Sequence, residues 1–249
     1  MSESKFVDIK GLIETYEFPC KLVGSGQELM IKPITTGQMK KILAYEDESD
    51  PYVVERALDK LISDCVITED FNIDDLYLQD RFNLLLELRK VTKGNMYRFT
   101  YKCPKCGVEN MVSIDLTKLE VVQRPEVDAV IPINDDLKFE VDYPTRGGQK
   151  NAVSRSNEKN LSLRERQIDI QTGTLVNCVK LVHTPSGILD NVPFEDKQYI
   201  LDNIKSDVFD VFTDWFTDNE FGVVFKKDIS CVSCMNEKVV DIPLNDFFI

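Results

Sequence analysis

Four of the chain's seven cysteines lie in two CxxC pairs, Cys103-Pro104-Lys105-Cys106 and Cys231-Val232-Ser233-Cys234, with 124 residues between them. One pair alone is weak evidence, but two pairs in a cysteine-poor chain offer four thiolates, the full complement of a tetrahedral zinc. Such a site has no coordination position left for water, so it braces a fold and activates no nucleophile. It also constrains topology, because the middle of the chain must meet its end.

The repeat extends beyond the cysteines. At a constant offset of 128 residues, Cys103 and Cys106 align with Cys231 and Cys234, Glu109 with Glu237, Val112 with Val240, Ile114 with Ile242, and Leu116 with Leu244, while Phe99 aligns with Lys227. Each knuckle is followed by an alternating apolar segment, 108–116 and 237–244, which reads as a strand with one packed face. Ahead of the first knuckle Tyr97, Phe99 and Tyr101 alternate with Arg98, Thr100 and Lys102, so Cys103 and Cys106 occupy a hairpin turn. A lone hairpin is marginal in water. One zinc shared by both closes a two-knuckle ribbon, and structural zinc contributes roughly 10–16 kcal/mol of binding free energy to folding in small zinc domains.

The second knuckle lacks the proline and glycine of the first, which leaves its turn geometry less defined than its ligand chemistry. Three other readings stay open: reduced cysteines in two unrelated turns, a disulfide within each pair, and pairs that meet their counterparts in another subunit. Disulfides fit poorly, since nothing resembles a signal peptide and neither pair opens a helix as a thioredoxin-like motif does. The internal repeat favours closure within one chain.

A chain of 249 residues has ample material for a buried core, as one large domain or two smaller ones. Its formal charge of −13 argues against broad binding to a nucleic-acid backbone and leaves a basic protein surface as a suitable partner. Lys102, Lys105, Lys226 and Lys227 form at most a small basic edge on the ribbon, so nucleic acid is disfavoured. No apolar run approaches bilayer-spanning length, and no membrane partner is expected. Cys20, Cys65 and Cys178 share no motif spacing and read as small buried side chains in a reducing cytoplasm.

Local signals fill in the rest. Phe18-Pro19-Cys20, a Gly24-Ser25-Gly26 turn and a strand ending at Pro33 predict a hairpin. Thr35 and Gln38 have capping-box spacing, and Asp50-Pro51 starts a second helix whose Val54, Leu58, Leu61, Ile62 and Cys65 face a core, with Glu55, Arg56, Asp59 and Lys60 left to solvent. A third helix, carrying Leu76, Leu78, Phe82, Leu85, Leu86 and Leu88, stops at Gly94. Residues 119–136 cross between substructures, 137–143 alternate as a strand, and 162 to about 182 read as helix. Segments 193–204 and 208–216 predict two more helices, and the apolar tail 246–249 docks on its own ribbon or on a neighbour. The polar stretch 144–160, with Gly147-Gly148, lacks large apolar anchors and reads as a mobile loop without Walker spacing.

The expected class is α+β: a helical body with short β-hairpins and a two-knuckle, four-cysteine zinc ribbon. Residues 1–95 form the N-terminal hairpin and helical region, 96–118 with 225–249 the composite ribbon, and 119–224 an inserted α+β region. Catalytic constellations are poor. His183 is the only histidine, Cys178/His183 has no nucleophile context, and Asp74-Asp75, Asp135-Asp136, Asp196, Asp214 and Asp218 read as caps or solvated acids. No enzyme is expected, and no residue is assigned a catalytic role.

Phe18-Pro19-Cys20, Ile31-Lys32-Pro33-Ile34-Thr35 and above all Leu88-Arg89-Lys90-Val91-Thr92-Lys93-Gly94-Asn95-Met96-Tyr97-Arg98-Phe99, followed by the first knuckle, resemble the baseplate hub protein family of T4-like tailed phages. The resemblance spans most of the chain. It is nearest to those members that promote hub assembly without covalent chemistry, with the permanent hub subunit as the near alternative. It implies a non-enzymatic factor working in the host cytoplasm during tail morphogenesis, or a component of the virion tail baseplate. The implied partners are baseplate hub proteins and further copies of itself. No active-site pattern comes with the family, and only Cys103, Cys106, Cys231 and Cys234 can be placed, as ligands of one structural zinc.

Overall fold

The computed structural model describes residues 16–45, 50–243 and 247–248. Among the described residues the first element is an antiparallel hairpin, β1 (Phe18–Lys21) against β2 (Glu28–Ile31). Asp80 reaches up to pin the turn between them, its carboxylate accepting the Gly24 and Ser25 N–H groups at 2.6 and 2.8 Å. The helix α1 (Thr36–Leu43) begins with a complete Thr35/Gln38 capping box, and α2 (Pro51–Cys65) begins at Asp50, whose side chain accepts the Tyr52 N–H at 2.9 Å. In α3 (Leu78–Lys93) the helical run ends at Gly94, which turns out of it at φ 84°. Leu22, Leu29, Ile31, Leu61, Ile62, Leu84 and Leu88 close a first core between hairpin and helices.

The first knuckle hairpin follows, β3 (Met96–Lys102) with β4 (Glu109–Asp115). The chain then leaves on β5 (Val121–Val122) and builds β6 (Val130–Pro132), β7 (Lys138–Val141), α4 (Arg146–Asn157), α5 (Leu163–Cys178), β8 (Val179–Thr184), β9 (Gly187–Leu189), α6 (Phe194–Asn203) and α7 (Ser206–Asp218). It returns on β10 (Gly222–Val223), which pairs antiparallel with β5, so departure and return run side by side. Within the excursion the sheet order is β6-β7-β8-β9, and Ile131, Phe139, Val141, Val176, Val179, Leu201 and Phe212 form a second core. The second knuckle hairpin, β11 (Lys226–Ser230) with β12 (Glu237–Asp241), completes the order. A third core lies under the ribbon: Leu86, Tyr97, Phe99, Ile114, Leu116, Ile229, Ile242 and Phe247. Phe247 meets Tyr97 and Phe225 edge-on at 5.3 and 5.7 Å, so the described part of the tail docks on its own ribbon. The architecture is mixed α and β with small antiparallel sheets. Leu244, aligned above with Leu116, lies outside the described residues.

Three expectations are corrected. The stretch 144–160 is no mobile loop, because most of it forms α4. Thr145 caps that helix by accepting the Gly148 N–H at 3.1 Å, and the small residues Gly148, Ala152 and Ser156, four apart, let it lie close on α5. A Cβ on Gly148 would sit 3.1 Å from that of Asn177, and one on Gly173 would sit 3.0 Å from that of Ala152. Small size there serves close packing, which a search for large apolar anchors overlooks. The helix expected through 182 stops at Cys178, after which Val179 to Thr184 pair with β7. Asp59 is not left to solvent. It is 5% exposed and accepts Arg81 Nε at 2.8 Å and Arg146 Nε at 2.8 Å, tying α2 to α3 and α4.

Candidate metal centre

Each knuckle is a turn closed by the same two backbone bonds. Cys103 N–H donates to Val108 O and Gly107 N–H to Cys103 O, both at 2.9 Å; Cys231 N–H donates to Asn236 O and Met235 N–H to Cys231 O, both at 3.0 Å. The turn needs a left-handed residue. Gly107 supplies it at φ 74°, and Met235 adopts it at φ 55° despite its side chain. The second turn therefore has the geometry of the first without its glycine.

The four sulfurs converge. Cys103 Sγ lies 3.8 Å from Cys234 Sγ, Cys106 Sγ lies 3.6 Å from Cys231 Sγ, and all four fall within 4.8 Å of one another. A tetrahedral ion held at about 2.3 Å by thiolates requires sulfurs about 3.8 Å apart, so the donor set fits such an ion. Cys103 and Cys231 are buried, Cys234 is half-buried, and Cys106 faces solvent. The knuckle backbone prepares two of the thiolates. N–H groups of Cys234 and Ser233 bring the Cys231 thiol down to about 6, and those of Cys106 and Lys105 lower Cys103. The Val108 N–H likewise favours the Cys106 thiolate, but desolvation and the neighbouring sulfurs outweigh it and push that thiol up to about 12. A cation among the four would relieve that competition.

Sequence reasoning missed Asn110. It is buried on β4, donates to the carbonyls of Tyr101 and Val108 at 3.3 and 3.0 Å, and accepts the Val232 N–H from the second knuckle at 2.9 Å. The 128-residue alignment could have flagged it, since its counterpart is the very different Lys238.

A family model described as T4 bacteriophage base plate protein matches residues 13–249, both knuckles included. The chain belongs to this family. No curated protein and no solved structure gives a significant match. Membership gives the base plate chain a structural or assembly role in the phage tail, among other base plate proteins. No helix among the described residues is long and apolar enough to cross a membrane.

The remaining candidates do not gather. Burial pushes the thiols of Cys20 and Cys178 up to about 12 and that of Cys65 to about 11. His183 Nε2 sits 3.0 Å from Glu140 on the neighbouring strand, not with Cys178. Asp74 pairs with Lys150, and Asp214 and Asp218 are exposed on α7. Lys102, Lys105, Lys226 and Lys227 are exposed along the ribbon.

Proposed function

We propose that this base plate chain is a non-enzymatic assembly factor that promotes formation of the central hub, with one structural zinc on Cys103, Cys106, Cys231 and Cys234. The observation that carries this reading is the convergence of all four cysteines within a family match that spans the whole described fold. Four thiolates fill a tetrahedral ion, which favours a brace over a reactive centre. The buried, high-pKa Cys178 and the Glu140-paired His183 also fit a chain without nucleophilic chemistry. Its work is done by surfaces: the ribbon fixes the chain's middle to its end, and the rigid body holds hub proteins, or further copies of itself, in a productive arrangement in the host cytoplasm. Assembly intermediates and finished particles purified from one preparation test the proposal. Presence in intermediates and loss from particles is expected, whereas retention at fixed copy number would make the chain a permanent hub subunit.

A further inference from the structure

The two knuckles are related by an approximate two-fold exchange. Replacing each residue by its counterpart 128 positions away turns the 3.8 Å Cys103–Cys234 sulfur contact into the 3.6 Å Cys231–Cys106 contact. It also converts the two backbone bonds that close one turn into those that close the other. The Asn110 contact breaks this symmetry. The Asn110 amide is anchored on the first hairpin by two carbonyls, and its Oδ1 accepts the N–H of Val232, the residue after Cys231. The exchanged contact would run from Lys238 to Pro104, and it has no chemistry. Proline carries no N–H to offer, and a lysine ammonium cannot accept one. The two sites of asymmetry therefore match: the knuckle with an N–H to satisfy faces the hairpin that bears an acceptor, and the knuckle without one faces the hairpin that bears none.

We propose that Asn110 is a specificity-determining residue that mates the first knuckle with the second and rejects the pairing of like knuckles from two copies of the chain. A first knuckle set against a first knuckle would place each Asn110 Oδ1 against Pro104, stranding a buried acceptor on both sides. A second against a second would set Lys238 against the Val232 N–H, stranding a donor. Asn110 is buried and Val232 exposed, so the stranded Asn110 acceptor is the costly orphan, and only the unlike pair satisfies both groups. Asn110 thus acts through the Val232 backbone on the placement of Cys231 and Cys234, as an outer partner of a metal site rather than a ligand.

The inference rests on the zinc reading for its affinity readout but not for the hydrogen bond itself. The test is a double-mutant cycle in the full chain with Asn110→Ala, Val232→Pro and both, read by zinc ion competed against a chromophoric chelator and by denaturant unfolding in chelator. Each single substitution is expected to weaken zinc binding roughly 10–100-fold. The double variant should be no weaker than either single, because Val232→Pro gives the second knuckle the residue that the first already has. Additive losses in both readouts would overturn the proposal. A wild-type chain that ignores zinc yet shows coupling in chelator would sink the metal reading and leave Asn110's role standing. Specificity is read by mixing full-length C231S/C234S with C103S/C106S chains. Zinc should associate the mixture far more strongly than either chain alone, and Asn110→Ala in the first chain should abolish that preference. Equal association of like and unlike knuckles would overturn the assignment.

Discussion

The ribbon brings Cys103 and Cys106 to Cys231 and Cys234 through sulfur, whereas the helical junction brings Asp59 to Arg81 and Arg146 through a buried carboxylate. Both join segments distant in sequence, but they depend on different things. Four equivalent donors around an ion need fixed local spacing, so each knuckle repeats CxxC and leaves a mark in the sequence. A carboxylate between two guanidiniums needs only that three side chains arrive at one place, from any separation. The ribbon's hydrophobic core is also small, and free energy of metal binding becomes free energy of folding there. The junction instead ties α2 to α3 and α4 with no ion to contribute.

The largest effect that would break this comparison is metal loss. Cys103→Ser and Cys231→Ser should each lower zinc content and remove hydrogen-exchange protection from β3, β4, β11 and β12, while α2 and α3 stay protected. Mass-spectrometric exchange with parallel metal analysis checks this. Unchanged zinc and melting behaviour in both variants would show that the sulfurs hold no ion that matters.

Next comes Asp59→Ala, which leaves Arg81 and Arg146 buried with only Glu55, at 2.8 and 4.0 Å, as a shared carboxylate and should cost about 3 kcal/mol in denaturant unfolding. Burial acts to raise the Asp59 pKa, but the hydrogen bond from Arg146 and the charges of Arg81 and Arg146 outweigh it and hold the carboxyl below its ordinary value. A depressed native pKa means stability that is full above the unfolded value of about 3.9 and is lost as pH falls through the native one. Asp59→Asn should therefore flatten the acid limb of the stability curve. An unchanged limb would show that Arg81 and Arg146 do not set the titration.

These two regions also mark what the sequence could disclose. The Thr35/Gln38 box, the Asp50-Pro51 start and the Gly94 stop are local devices, so their residues suffice to place them. The knuckles are local too, and their repeat points to a shared site. Asp59 reads as an exposed helical acid because nothing in α2 reveals that Arg146 arrives from 87 residues further along the chain. Strand β8 reads as more helix because a Val-rich segment serves either state, and pairing with β7 decides it. Asn110 draws no notice because an asparagine after a turn is ordinary until the opposing N–H is seen.

A smaller test concerns how closely the returning chain packs on the turn of the β1–β2 hairpin. A Cβ on Gly24 would fall 2.3 Å from Phe221 Cε2 and 3.1 Å from the Asp80 carboxylate. Phe221 cannot easily move, being 3% exposed and held edge-on by Tyr143 at 4.7 Å. Gly24→Ala should cost about 1–3 kcal/mol, as overpacking does. A neutral result would mean that this turn is free to shift away from the β10 end of the excursion.

The smallest effect separates a helix made by its own signals from one made by its neighbours. Thr145→Ala removes the acceptor for the Gly148 N–H and should cost about 1 kcal/mol if the cap acts as it does elsewhere. The helix itself should persist, because Arg146 stays paired with Asp59 and Ala152 stays against Gly173. Hydrogen exchange distinguishes the outcomes. Faster exchange confined to the first turn is expected, since only that turn depends on the threonine. Loss of protection along all of α4 would show that the cap, and not the junction with α2 and α5, keeps this polar segment folded.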